Sequence, residues 1–204
     1  MEFLNKKTGI IAFLLLFTVN ISAQVDNSQI FASSYRYESS GDYEKAINEL
    51  NKVNGYDYYK SLRLGWLYYL SKNYETSKKF YRQAVEFEPQ AVEALLGLCY
   101  PLEAQKNSDE LEKVYKQILT LDKMNSKVNY ALGNIYYYRK DFHQAELYFD
   151  KVQHMYPFDY YSTLMSGWTK YFLGKKNEAK RLFSNVLIIS PADQSAKDGL
   201  NLLK

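Results

Sequence analysis

A 34-residue repeat runs through most of this chain and limits the folds that it can adopt. Four similar short stretches end at a constant spacing of 34 positions, and an aromatic residue follows each of them four positions later. The stretches end at Ser77, Leu111, Ala145 and Ala179, and the aromatic residues are Tyr81, Tyr115, Phe149 and Phe183. A repeat of this length is a small supersecondary unit that cannot bury its apolar face alone. Stacked neighbours must therefore supply the core.

The residues of each unit predict two helices joined by a short turn. Apolar residues recur at helical spacing, as in Leu95, Leu98 and Leu102. Polar pairs such as Lys72-Asn73 and Lys140-Asp141 separate the helices. Because proline cannot continue a helix, three second helices should stop before Pro89, Pro157 and Pro191. The small residues that should let the paired helices approach closely are Gly65, Gly133 and Gly167.

One unit resembles the tetratricopeptide repeat, whose pattern is W-x2-L-G-x2-Y…A-x3-F…P. Its matching residues are Leu132, Gly133, Tyr136, Ala145, Phe149 and Pro157. The resemblance covers about residues 26–192 and implies an all-α fold, a right-handed α-solenoid of about five helix-turn-helix repeats. The implied repeats are 27–56, 57–90, 91–124, 125–158 and 159–192, within an array at 24–192, and a C-terminal capping helix follows at 193–204.

Two features depart from a regular array. In the first unit, Ala46 lies 31 rather than 34 positions before Ser77, which predicts a shorter connection. In the third unit, Pro101 falls within the first helix, where proline costs about 3 kcal/mol and bends the helix. We expect a kink between Leu98 and Pro101 and a local irregularity in the superhelix.

The first 23 residues are typical of an export signal. Lys6 and Lys7 precede an apolar run from Ile10 to Val19, and Ala23 precedes the expected cleavage site. The run is too short to span a bilayer as a helix. We expect a signal peptide at 1–23, export from a bacterial cell to the periplasm, and no membrane span after cleavage. Secretion, outer-membrane association and a retained anchor are the alternatives.

Composition and motifs give no indication of catalysis. The net charge of +3, with interspersed charges, does not indicate nucleic-acid binding. His143 and His154 would lie about 16 Å apart on one predicted helix, too far to share a metal ion. Cys99, the one cysteine, is predicted to be a buried, inert thiol. Glycine-rich phosphate loops and metalloprotease motifs are absent from the sequence. We expect neither enzyme activity, nor a metal, nor a cofactor.

One face of the first helices is rich in aromatic residues. At about 100° per residue, four positions of each first helix lie together, away from the partner helix. Proteins with the repeat that this chain resembles line a concave groove with that face. Aromatic residues are 17% of the chain but more than half of these positions. The candidate binding residues are Tyr35, Tyr59, Trp66, Tyr69, Tyr100, Tyr130, Asn134, Tyr137, Tyr161, Trp168 and Tyr171. Phe31 shares this face, and Leu62, Leu96 and Leu164 would add an apolar floor.

These patterns favour a non-enzymatic protein–protein interaction scaffold of the bacterial cell envelope, which binds a segment of a protein or peptide partner in an aromatic-lined groove. A glycan-binding protein and a structural subunit of an envelope assembly are the alternatives, and tyrosine could also simply fill space between adjacent helices. The best-known peptide-binding members of the family grip a carboxylate with basic residues. Near those positions this chain offers Arg63 and Gly97, so the clamp is not matched. We therefore expect an apolar or aromatic guest.

Overall fold

The computed structural model of the chain describes residues 27–204, and every regular element in that range is an α-helix. The chain divides into two compact units, Met1–Ser108 and Asp109–Lys204, which we call unit 1 and unit 2. The predicted all-α fold of helix-turn-helix repeats is confirmed, whereas the handedness of the superhelix stays a prediction. The predicted signal peptide at 1–23 lies outside the described residues.

Eleven helices are described within residues 27–204. The helices of unit 1 are α1 (27–39), α2 (Tyr43–Asn51), α3 (Asp57–Leu70), α4 (Tyr74–Phe87) and α5 (Val92–Ala104). The helices of unit 2 are α6 (Ser108–Leu121, which begins at the division), α7 (Ser126–Tyr138), α8 (Phe142–Met155), α9 (Tyr160–Phe172), α10 (Lys176–Ile189) and α11 (Gln194–Asn201). The shorter connection predicted after the first repeat is wrong, because residues 52–56 between α2 and α3 are no fewer than residues 88–91 between α4 and α5. The helix α2 is shortened instead, with 9 residues where α4, α8 and α10 have 14.

Local chemistry sets the helix boundaries. The side chains of Asp42, Asn73 and Asp141 cap α2, α4 and α8 by accepting the backbone N–H three residues on, which stabilises a helix start. The helices α4, α8 and α10 each end two residues before a proline, as predicted from Pro89, Pro157 and Pro191. The predicted turns are therefore encoded within a few residues of each helix end.

The paired helices approach closely where the sequence places glycine. An added Cβ would lie 2.9 Å from the Tyr81 ring at Gly65, and 2.5 Å from the Phe149 ring at Gly133. At Gly167 it would lie 2.8 Å from the Phe183 ring. These separations are shorter than ordinary carbon–carbon contacts, so no larger residue fits without displacing the ring. The prediction that glycine permits close helix packing is confirmed.

The last helix, α11, closes unit 2. Leu200 and Leu203 pack against a buried cluster that includes Ala179, Phe183 and Val186, as expected of a capping helix. In unit 1, α5 continues through Pro101 as one helix, and the kink predicted there stays a prediction.

Candidate binding site

The first helices of unit 1 place equivalent repeat positions side by side. On α3 the spacing of Tyr59, Leu62, Arg63 and Trp66 defines one helical face, and residues 34 positions later define the same face of α5. The residues of α5 on that face are Glu93, Leu96, Gly97 and Tyr100. The face of α1 that carries Phe31 and Tyr35 continues this surface, so three helices line one cavity.

The cavity of unit 1 has a volume of about 1070 Å³, and half of the residues that line it are aromatic. Its lining includes four of the candidate residues predicted from the sequence, namely Tyr35, Tyr59, Trp66 and Tyr100, together with Phe31, Leu62 and Leu96. The Tyr35 and Tyr59 side chains are 50% and 59% exposed. Large rings therefore border the cavity while remaining accessible from solution.

Rings that contact one another hold Trp66 in place. The Trp66 and Tyr69 rings stack with centroids 5.5 Å apart and an interplanar angle of 30°. Tyr100 contacts both, with centroids 5.7 Å from Trp66 and 5.4 Å from Tyr69. Tyr69, a candidate outside the lining itself, therefore supports Trp66 and Tyr100 from the side. Aromatic pairs of this geometry contribute about 0.5–1.5 kcal/mol beyond the burial of their area.

Glu38 fixes two residues of the cavity wall. Its carboxylate accepts the Trp66 indole Nε1–H at 2.7 Å and forms an ion pair with Arg63. The Arg63 guanidinium lies over the Tyr35 ring, with Cζ 3.9 Å from the ring centroid. The side chains of Glu38 and Arg63 are only 20% and 14% exposed. The Arg63 charge is therefore balanced within the protein, and the indole orientation is set before any guest arrives.

Sequence reasoning did not single out Glu38, although a signal for it existed. Because the first repeat is offset by 31 positions, Glu38 occupies the position in α1 that Tyr69 occupies in α3. It therefore lies on the predicted aromatic face. An acidic side chain on a face that is otherwise aromatic is the signal that the sequence offered. The basic residue that it neutralises, Arg63, lies on the adjacent first helix α3.

Tyr81 forms the floor of the cavity. Its ring is 2% exposed and lies against the backbone of Gly97. Burial raises the pKa of the Tyr81 hydroxyl above its ordinary value, so the side chain stays neutral at physiological pH. The floor is therefore an uncharged aromatic surface.

The candidate residues of unit 2 have different surroundings. Tyr130 and Tyr161 line a smaller cavity of about 340 Å³. Trp168 donates its indole N–H to Ser195 Oγ at 2.8 Å, and its ring lies edge-on to Phe183 at 5.0 Å. Trp168 therefore packs between its own helix pair and the closing helix α11. This environment corresponds to the alternative in which aromatic residues fill space between helices.

A second group of rings in unit 2 lies near the turn after α7. Tyr137 contacts Phe142 and Phe172, and the two phenylalanine rings stack at 4.6 Å with an angle of 12°. Tyr171 contacts Phe172 at 5.3 Å. Asn134, the remaining candidate, is half-buried on α7. Sequence reasoning missed the two phenylalanines because both lie outside the four positions assigned to the groove.

The residues considered for chemistry are placed as follows. Cys99 is buried, and His143 and His154 are exposed on α8. Within residues 27–204, no group of histidine, cysteine, aspartate and glutamate side chains is arranged to hold a metal ion. None of the helices in that range has the length and apolar composition needed to cross a membrane.

Antiparallel helix pairs that repeat every 34 positions, with an aromatic ring wedged against a glycine, define an all-α solenoid repeat protein. The family model for the tetratricopeptide repeat matches residues 62–90 and 126–159. These two segments are therefore tetratricopeptide repeats, and the fold is that of a tetratricopeptide repeat protein. No curated protein matches it significantly by sequence.

Several solved structures share the fold at low sequence identity. A tetratricopeptide repeat protein from Parabacteroides merdae ATCC 43184 is 17% identical with a TM-score of 0.72, over 87% of this chain and 72% of that one. The protein YrrB, described as a TPR protein with an unusual peptide-binding site, is 14% identical with a TM-score of 0.68, over 91% of this chain and 97% of YrrB. The protein MamA is 17% identical with a TM-score of 0.68, over 81% of this chain and 92% of MamA.

Proposed function

We propose that this protein is a non-enzymatic interaction scaffold whose unit 1 cavity binds an extended segment of a partner protein. The tetratricopeptide repeat fold supports the general class, a protein-interaction scaffold. The observation that carries the specific site is the cavity lined by Tyr35, Tyr59, Trp66 and Tyr100.

The exposed border of the cavity favours a polypeptide segment over a small molecule. Small-molecule pockets span about 300–1,000 Å³ and enclose most of their ligand. The cavity of unit 1, at about 1070 Å³, is at the upper end of that range, and exposed rings border it rather than enclose it. A guest of several residues would fill it and leave its ends in solution. The similar protein YrrB is described as having a peptide-binding site, which supports a peptide as the class of guest.

The arrangement of the rings favours tight contact. Trp and Tyr are among the residues most often found as energetic anchors of protein interfaces. Trp66 is held by stacking on Tyr69 and by its hydrogen bond to Glu38. A ring that is already ordered loses little conformational entropy when a guest binds. Trp66 is therefore the proposed principal anchor.

The predicted leader at 1–23 supports a role in the bacterial cell envelope, with the periplasm as the proposed location. Intact mass measurement of the protein from a periplasmic fraction tests this proposal. The mass of a chain that begins at Gln24 would support it. The mass of the full-length chain, found in the membrane fraction, would instead support the retained anchor.

A peptide-retention experiment tests the proposed site. The purified chain would be immobilised and incubated with a random hexapeptide library blocked at both ends, and retained peptides would be quantified by mass spectrometry. Trp66→Ala should reduce retention by about 30-fold, which corresponds to the loss of a strong interface anchor. Trp168→Ala serves as the control because Trp168 packs on Phe183 and Ser195 outside this cavity.

The outcomes separate the competing functions. Helicity measured by circular dichroism must remain unchanged in Trp66→Ala for the comparison to count. Equal retention by wild type and Trp66→Ala would overturn the proposal. In a parallel experiment, soluble envelope polysaccharides would be titrated while tryptophan fluorescence is measured. A change in Trp66 fluorescence with a polysaccharide, without retention of any peptide, would favour glycan binding.

A further inference from the structure

Glu93 carries the charge that the cavity of unit 1 leaves unbalanced. Two of the described residues that line the cavity are charged, Arg63 and Glu93. Arg63 is neutralised by its ion pair with Glu38 and is covered by the Tyr35 ring. The hydrogen bond to Glu93 comes from the neutral hydroxyl of Tyr58, at 3.3 Å. The lining therefore presents a net negative charge at the Glu93 end.

Tyrosine rings lie beside this carboxylate. Tyr58, which donates to Glu93, has its ring centroid 5.3 Å from that of Tyr59. The Tyr56 ring centroid lies 6.5 Å from that of Tyr59. A carboxylate next to exposed aromatic rings attracts a cation through both its charge and the negative ring faces. The Glu93 end of the cavity therefore suits the ammonium group of lysine or the guanidinium group of arginine.

The apolar anchor lies toward the opposite end. Glu93 and Tyr100 are seven residues apart on α5, a distance of about 10 Å along a helix axis. An extended chain advances about 3.3 Å per residue. The two ends of the cavity are therefore separated by about three residues of an extended guest.

Building on the proposed function, we propose that the guest is an extended protein segment with a lysine or arginine about three residues from an aromatic or large apolar residue. The basic side chain lies at Glu93 and Tyr59, and the apolar side chain packs on Trp66 and Tyr100. An acidic segment is disfavoured because Glu93 repels it, while Glu38 holds the Arg63 guanidinium that would otherwise attract it.

The composition of the retained peptides tests this inference. Peptides retained from the blocked hexapeptide library by wild type, but not by Trp66→Ala, would be sequenced. Lysine and arginine should be enriched over aspartate and glutamate by about two- to fivefold, the range for a partly exposed charge pair. The enrichment should disappear in Glu93→Gln. The matched control is Glu86→Gln, which makes the same charge change on α4 outside the lining.

Each outcome decides between the inference and the function on which it rests. Absence of any peptide that depends on Trp66 would overturn both. Retained peptides that are apolar without a basic excess, or that are acidic, would overturn only the charge preference. A basic excess that survives Glu93→Gln, or that disappears equally in Glu86→Gln, would also overturn it, because the preference would then not arise at Glu93.

Discussion

The Tyr81 ring occupies the space in which a side chain at Gly97 would lie, because an added Cβ would be only 2.2 Å from the ring atom Cε1. The same ring also lies against Gly65, where the corresponding distance is 2.9 Å. Tyr81 is thus wedged between the first helices α3 and α5. This contact joins the packing of unit 1 to the floor of its cavity.

We predict that Gly97→Ala destabilises the protein by about 1–3 kcal/mol, the usual cost of overpacking a tight site. Gly65→Ala should cost less because its added methyl group would be farther from the ring. Urea unfolding followed by circular dichroism would give both values. Equal losses of unfolding free energy in the two variants, or a larger loss in Gly65→Ala, would contradict the position of Tyr81 between the two glycines.

The largely buried Glu38 carboxylate leads to a second prediction. Glu38→Ala removes the ion-pair partner of Arg63, whose side chain is 14% exposed, and the acceptor for the Trp66 indole. Loss of hydrogen bonds to a charged group costs about 1.5–3 kcal/mol. Urea unfolding should report a loss of that size, and fluorescence in a Trp168→Phe background should report a more mobile Trp66. Unchanged stability and fluorescence would show that Glu38 does not order the cavity wall.

The turns inside the helix pairs predict a stabilising substitution. Lys140 has φ 62°, a left-handed conformation, and lies at the turn position that glycine occupies at Gly174, with φ 72°. A side chain in this region costs about 1–2 kcal/mol, partly offset by the greater unfolded-state entropy of glycine. Lys140→Gly should therefore raise the free energy of unfolding by about 0.5–1 kcal/mol.

The control for this turn is Gly174→Ala, whose added methyl group would meet no atom within 4 Å. Backbone strain alone should then lower stability by about 1 kcal/mol. Thermal unfolding of the two variants should shift the midpoint in opposite directions, and a shift in the same direction would contradict the explanation.

A carboxylate in unit 2 predicts how stability depends on pH. The hydrogen bond from Lys116, followed by those from Tyr136 and Arg139, lowers the pKa of Glu112 to about 2, against the opposing effect of burial. Because the folded-state pKa is lowered, the stabilisation is present above the ordinary pKa near 4.5 and is lost as the pH falls toward 2. Glu112→Gln should therefore flatten the decline in unfolding free energy between pH 5 and pH 2. Urea titrations across that range would detect it, and an unchanged slope would count against the assignment.

The sequence predicted the features that depend on neighbouring residues. Helix ends follow from Asn73, Asp141 and the closing prolines, because capping and termination act within a few residues. The aromatic face of α1, α3 and α5 could also be predicted from the sequence, because equivalent positions of stacked repeats become neighbours. Such features need only the period and the helical geometry.

Features set by contacts outside the repeat could not be predicted. Trp66 and Trp168 occupy the same repeat position, but Trp168 donates to Ser195 on the closing helix α11, which lies beyond the last repeat. Glu38 was missed for a different reason: its face was searched for aromatic residues, and the repeat pattern does not show that an acidic residue there pairs with Arg63 of the next repeat. The surroundings of equivalent positions depend on which helix follows, and the repeat pattern does not contain that information.

Fluorescence of Trp66 as the sole indole tests the central claim most directly. In a Trp168→Phe background, titration with the retained peptides should give a saturable blue shift, because the guest displaces water from the ring. The reciprocal Trp66→Phe variant, in which Trp168 reports, should show no shift. A response from Trp168 alone, or from neither indole, would contradict the assignment of the unit 1 cavity as the binding site.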